Sequence, residues 1–259
     1  MGVEMTRHVV IPDTQVRRGV PLDHLKAAAN AIVHYKPDVI VHIGDHWDMP
    51  SCSSHTAPGS MEKEGARIRD DIDAGNEAWE MLFAPMWSEI NRRKNKHRKR
   101  WAPRLVYCRG NHEDRLDRYV GSNPETEEIL STDMMLTPGF ERKAFLEIVE
   151  IDGIWYSHYF ANTHSGRAIG GSIDNRLNRI GRSFVQGHEQ GFLYGVRQFP
   201  GQLTRHGLVA GSFYMHDEKY RGLQSNSEWR GIVVLNEVRD GGNYDVMPLS
   251  MDYLLRKYL

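Results

Sequence analysis

The 259-residue chain has little of what marks several protein classes. Two cysteines, Cys52 and Cys108, are too few for the disulfide framework of a small secreted domain, so a reducing cytoplasm is the expected compartment. No apolar run approaches the roughly 18 residues that would cross a bilayer. The opening MGVEMTRHVVIPDTQ has too short an apolar stretch before Pro12 to read as a signal peptide, and no membrane partner is expected. Net charge is nearly absent: at -1, the chain has no global attraction to nucleic acid or an anionic surface, so any such contact has to be local. Internal repeats, low-complexity tracts and linkers are missing as well. Hydrophobic residues at 40% and charged residues at 26% are ordinary for a globular protein, and the length fits one domain over residues 1–259.

What is present is a strand-and-helix alternation in the first half. His8 to Ile11 reads as a short buried strand ending at Pro12-Asp13. Leu22, Leu25, Ala28, Ala29, Ile32 and Val33 fall at three- and four-residue steps after Pro21, which predicts an amphipathic helix ended by Lys36-Pro37. Val39 to Ile43 is continuously apolar and β-branched, as a strand buried on both faces requires, and Gly44-Asp45 closes it. A helical period runs from Glu62 to about Arg98, where Pro85 should start a new helix or kink the first. Arg104 to Cys108 reads as a third strand closed by Gly110-Asn111.

The second half is strand-rich. Candidates are Phe145 to Ile151, Ile154 to His158, Ser183 to Gln186, Leu208 to Ser212, Ile232 to Leu235 and Tyr244 to Leu249, with one helix at Ser172 to Arg182. The pattern predicts an α/β protein (α+β, four layers) of two packed mixed β-sheets flanked by helices, with a basic helical segment at about 61–100 inserted between the second and third strand ends.

The strand-ending loops carry the chemistry: Asp13-Thr14-Gln15, Gly44-Asp45-His46-Trp47-Asp48, Gly110-Asn111-His112-Glu113-Asp114, Ser157-His158 and Gly187-His188-Glu189-Gln190. Each sets a carboxylate, amide or imidazole just after an apolar strand, where a rigid sheet can aim it into a shared cleft. Alone, an Asp at a strand end is usually a turn or cap residue, and a lone His such as His158 or His188 is usually a satisfied buried ring. Together they form a donor set for hard to borderline divalent cations.

In this order the blocks resemble the calcineurin-like metallophosphoesterase superfamily, whose pattern is D-x-H, G-D-x-x-D, G-N-H-E/D, a lone H and G-H-x-H. Pro-Asp-Thr-Gln and Gly-His-x-Gln are similar to the wording of its tailed-phage and prophage branch. The resemblance implies two divalent metal ions bridged by Asp45. One would take Asp45, Asn111, His158 and His188. The other would take Asp13, Asp45 and the two positions that depart from the pattern, Gln15 and Gln190. Two amide oxygens in place of imidazoles favour Mn²⁺ or Mg²⁺ over Zn²⁺, Fe or Ni²⁺, and Mn²⁺ is the expected cofactor.

The implied reaction is attack on phosphorus by a hydroxide bridging the ions, with His112 as general acid and Asp48 orienting it, so both are candidate catalytic residues. A phosphodiester or phosphomonoester is the implied substrate. Arg167, before the Ser172 helix, and His216, after Gly211-Ser212, are candidate substrate contacts. The basic run Arg92 to Arg100 has the ordinary reading of a solvated helix end and the sharper one of a contact to DNA, RNA or a nucleotide. Arg109 to Glu113 also resembles the protein-phosphatase branch, which is opposed at Met49-Pro50, where that branch has an Arg-Gly pair whose arginine grips the phosphate. A non-catalytic scaffold of the same fold is the remaining alternative, and retention of His112 argues against it.

Overall fold

The computed structural model describes residues 5–53, 65–201, 203–217, 227–239 and 241–259. Two mixed sheets pack face to face, with helices on both outer faces. The first holds β1 (Thr6–Ile11), β2 (Val39–His42), β3 (Arg104–Cys108), β4 (Glu141–Lys143), β10 (Gly231–Arg239) and β11 (Asn243–Ser250), in the order β11-β10-β1-β2-β3-β4. The second holds β5 (Val149–Ile151), β6 (Ile154–Tyr156), β7 (Ser183–Gln186), β8 (Phe192–Phe199) and β9 (Leu203–Ala210), in the order β5-β6-β7-β9-β8. β1 to β4 are mutually parallel, as are β6, β7 and β9.

Side-chain alternation along the strands builds the layers. Val10, Val41, Val106 and Cys108 face the second sheet, where they meet Ile154, Tyr156, Val185 and Leu208. Their neighbours Val9, Ile11, Ile40, Leu105 and Tyr107 face the other way, into a core completed by α1 (Asp23–Tyr35), α2 (Ile68–Asn95) and the C-terminal α5 (Met251–Tyr258). α4 (Ile173–Ile180) covers the outer face of the second sheet through Leu177 against Phe184 and Phe160.

Several expectations need correction. Pro85 does not end α2, which runs unbroken from Ile68 to Asn95. The proline removes one amide donor, but Trp79, Leu82, Phe83 and Met86 around it are all buried, and packing holds the two halves in one helix. The expected start of this helix at Glu62 lies outside the described residues, and the segment after Asn95 is not helical. Of Phe145 to Ile151 only Val149–Ile151 is strand, and the strand expected at Leu208 to Ser212 is the end of the longer β9. The second half also holds a further helix, α5, whose N-cap Ser250 accepts from the Tyr253 amide at 3.3 Å. The nine-residue α3 (Asp114–Ser122) and the edge strand β8 were not expected: α3 buries only Leu116, and β8 is nowhere fully buried.

Candidate metal centre

The five loops singled out above leave the C-terminal ends of β1, β2, β3, β6 and β7, which parallel pairing brings to one edge of the two sheets. Backbone hydrogen bonds lock them together. Gln15 N donates to Asp45 O at 2.9 Å, Val16 N to His46 O at 2.7 Å, and Gly187 N to His158 O at 3.0 Å. The sheets are joined at the site itself, where His158 Nδ1 donates to Ile43 O at 2.8 Å. Gln15, Asp45, Met49 and His188 all have left-handed backbone angles, with φ between +39° and +67°. Non-glycine residues held in that region by surrounding structure concentrate where geometry matters for function.

Asp45 is the hub. Its Oδ1 accepts from the His112 amide at 2.9 Å, which fixes the carboxylate plane and turns Oδ2 into the cleft. Oδ2 lies 3.3 Å from His158 Nε2 and 3.6 Å from His112 Nε2. Asn111 Oδ1 lies 2.9 Å from His158 Nε2 and 2.7 Å from His188 Nδ1. One donor atom each from Asp45, His158 and His188 falls within 4.8 Å of the others, so this group can hold a metal ion. Because His158 Nδ1 donates to Ile43 O, Nε2 is the ring atom that faces the cluster, and its lone pair becomes available to a cation when Nε2 gives up its proton.

Asp13 adjoins this group from β1. Its Oδ1 accepts from the His188 amide at 3.2 Å, and its Oδ2 is buried with no hydrogen-bond partner. Gln15 Oε1 is likewise buried and unpartnered. Buried oxygen acceptors left without a donor are atoms that a divalent cation could satisfy. Gln190, the fourth expected donor, has its Oε1 held by the Tyr214 hydroxyl, which donates to it and leaves the oxygen a second lone pair.

Burial and mutual proximity shift the ionisable groups of the cluster in both directions. Burial and the nearby Asp45 raise the Asp13 carboxyl above its ordinary range. Burial also opposes charge on Asp45, but His112 and His158 outweigh it and hold Asp45 well below the usual carboxylate range. Burial disfavours a charged His158, yet Asp45 and Asp13 overcome it and raise the ring to about 9. His188 goes the other way, lowered to about 4 by burial and by His158.

His112 Nδ1 lies 2.9 Å from Asp48 Oδ1, and Asp48 Oδ2 accepts from Arg17 Nη1 at 2.8 Å. Of the remaining expected residues, Arg167 is exposed in the loop bridged between Ala161 and Ala168, with no contact to the cluster among the described residues. His216 stacks on Tyr214 at 4.6 Å, one residue removed from Gln190. The basic run 92–100 leads into the N-terminal end of β3, where Arg104 N donates to Asp38 O at 2.8 Å. The length of β3, roughly 13 Å, therefore separates it from the strand ends that carry the cluster.

Three supporting residues went unread in the sequence. Glu113 is fully buried and accepts four backbone N–H groups: Asp45 at 3.1 Å, His46 at 2.6 Å, Trp47 at 3.0 Å and Gly110 at 2.9 Å. It staples the Asp45 loop to the Asn111 loop, and its place in Gly-Asn-His-Glu was the signal. Gly110 permits that approach, since a Cβ there would overlap Asp45 Oδ1. Arg176, 1% exposed on α4, grips both carboxylate oxygens of Glu189 at 2.7 and 2.6 Å and so fixes the turn between His188 and Gln190. Arg115 contacts His112. Neither arginine stands in a motif.

The Gene 54 protein of Mycobacterium phage D29 is 30% identical over 195 residues, covering 70% of this chain and 68% of the phage protein. The chain belongs to the family of that phage protein. Membership in the Gene 54 family comes without a match to any family model. Among the described residues, no helix is long and apolar enough to cross a membrane.

Proposed function

We propose that the protein is a divalent-metal-dependent phosphoester hydrolase of the calcineurin-like type, phage-encoded like its relative, with Mn²⁺ as its preferred ion. The observation that carries this reading is the convergence of Asp45, Asn111, His158 and His188, with Asp13 joined to the His188 amide and unpartnered buried oxygens on Asp13 and Gln15. Asp45, Asn111, His158 and His188 would hold one ion, and Asp13, Gln15 and Asp45 the other. Bound there, the ions would supply Lewis acidity toward the phosphoryl oxygens and a lowered pKa for an attacking water.

The chain's own residues do the rest. His112 presents Nε2 toward Asp45 Oδ2 at 3.6 Å, while Asp48 holds Nδ1 on the far side of the ring. Burial works against a charged His112, but Asp45 and Asp48 more than offset it and raise its pKa. A ring so held can give a proton to a leaving oxygen, a role that typically contributes about 10²- to 10⁴-fold. With the basic run at the far edge, a small phosphoester reaches the cluster without it, whereas a polymer would have to span both.

The test is hydrolysis of a phosphopeptide, a bis-aryl phosphodiester and single-stranded DNA by Mn²⁺-supplied protein, alongside His112→Ala. Activity on at least one substrate that drops at least 100-fold in the variant supports the reading. Equal behaviour of the two proteins on all three substrates sinks it and favours a scaffold.

A further inference from the structure

Among the described residues just after Asp48, 49–53, none carries a positive charge: Met49 is buried in the helix-side core and Pro50 opens a short 3-10 turn. Positive charge arrives from elsewhere in the chain. Arg17, after β1, donates Nη1 to Asp48 Oδ2 at 2.8 Å. Arg115, in the first turn of α3, donates Nη1 to Asp48 O at 2.8 Å and places Nη2 2.9 Å from His112 Nε2. Its side chain is 15% exposed, so the guanidinium lines the cleft rather than the core.

The second Arg115 contact has only one sense. A guanidinium has no acceptor, so Nη2 donates and His112 Nε2 accepts, which leaves the Nδ1 proton for Asp48. A ring nitrogen is a poor partner for a permanent cation, and an anionic oxygen forms a shorter and stronger charge-assisted bond. His112 Nε2 is also the ring atom nearest Asp45 Oδ2, at 3.6 Å, on the side where the donor atoms converge. Any oxyanion within about 3 Å of Nε2 therefore lies within about 6 Å of Arg115 Nη2, a span closed by a small side-chain rotation. Nη1 can keep its bond to Asp48 O as the pivot.

We propose that Arg115 is the phosphate-gripping residue of this site, exchanging its His112 contact for a non-bridging oxygen of the bound phosphoryl group. Arg17 is a positioning residue that acts through Asp48. The exchange brings a charge-assisted donor to the phosphoryl group and frees His112 Nε2 to take up from solvent the proton that it later gives to the leaving oxygen. The assignment rests on the phosphoester reading for its substrate, but it is tested by binding alone.

Inorganic phosphate is titrated into Mn²⁺-loaded wild type, Arg115→Ala and Arg115→Lys by calorimetry, with Mn²⁺ affinity and melting temperature measured on each. The expected result is phosphate binding at least tenfold weaker in Arg115→Ala and intermediate in Arg115→Lys, with Mn²⁺ affinity within about twofold of wild type; the same variants should raise KM for an aryl phosphate. Phosphate affinity unchanged in a folded variant overturns the assignment, as does a wild type that binds no phosphate. If Arg115→Ala does not fold, Arg115→Lys and Arg115→Gln decide. A wild type that binds phosphate yet hydrolyses no ester removes the hydrolase reading, and Arg115 is then judged on the phosphate titration.

Discussion

The amide of His188 donates to Oδ1 of Asp13 at 3.2 Å, joining two loops 175 residues apart in the chain and leaving Asp13 Oδ2 buried without a partner. Asp13 is thus held in place by one oxygen while the other faces an unmet electrostatic demand next to Asp45, whose proximity helps raise its pKa. Removing its charge should have opposite consequences with and without metal. In chelator, Asp13→Asn relieves repulsion between two buried carboxylates and is expected to melt no lower than wild type. With Mn²⁺ present it should melt below wild type, bind fewer ions and lose at least 100-fold in activity. Melting curves in the two conditions check the sign reversal.

Glu113 spreads four backbone N–H bonds over two carboxylate oxygens. Glutamine has one acceptor oxygen and adds an NH₂ group that faces donors. Glu113→Gln is therefore expected to cost about 3 kcal/mol or more, because buried donors are left unpaired. Urea unfolding of the metal-free protein measures it, and a loss under about 1 kcal/mol would mean that the stapling is dispensable.

Arg176 acts on the centre only through Glu189. Arg176→Met keeps the buried stem but releases the turn between His188 and Gln190, so Mn²⁺ affinity should fall by about 10- to 100-fold, the usual effect of losing an outer partner of a ligand. Because Arg176 also donates to Ile169 O and Gly171 O, some stability is lost too. Calorimetric titration of Mn²⁺ at a temperature where the variant is fully folded separates the effects.

His24 gives a pH prediction independent of the metal. Burial, helped by His216, lowers it to about 3, and a hydrogen bond to the Phe213 backbone offsets this only in part. The unfolded chain binds a proton there below about pH 6.5 while the folded chain stays neutral, so this contribution is complete above that pH and is lost as pH falls toward 3. Wild type should lose about 1.4 kcal/mol per pH unit more than His24→Leu between roughly pH 6 and 4. Parallel slopes for the two proteins in chelator-treated denaturation series contradict it.

The layered fold was legible because buried parallel strands leave an unmistakable trace. Val39 to His42 has no polar alternation since both faces are covered, and the loops that follow such strands must lie at one edge. Elements with weaker burial left none: α3 buries one residue, and β8, paired on one side only, mixes Gly195, Arg197 and Gln198 among its apolar residues. The same divide runs through the site. Residues that converge stand directly after strands, where position in the chain determines position in space. Glu113, Arg115 and Arg176 reach their partners from helices and turns, through contacts that only the folded chain creates. The Arg92 to Arg100 run is conspicuous in the sequence, but its place at the N-terminal end of β3, away from the strand ends that carry the cluster, follows only from the direction of that strand.

A Mn²⁺-soaked crystal, with anomalous difference density phased from this fold, tests the central claim most directly. The account predicts two peaks that share Asp45, one ringed by Asn111, His158 and His188 and the other by Asp13 and Gln15. Saturating Mn²⁺ with no peak beside Asp45 would contradict it.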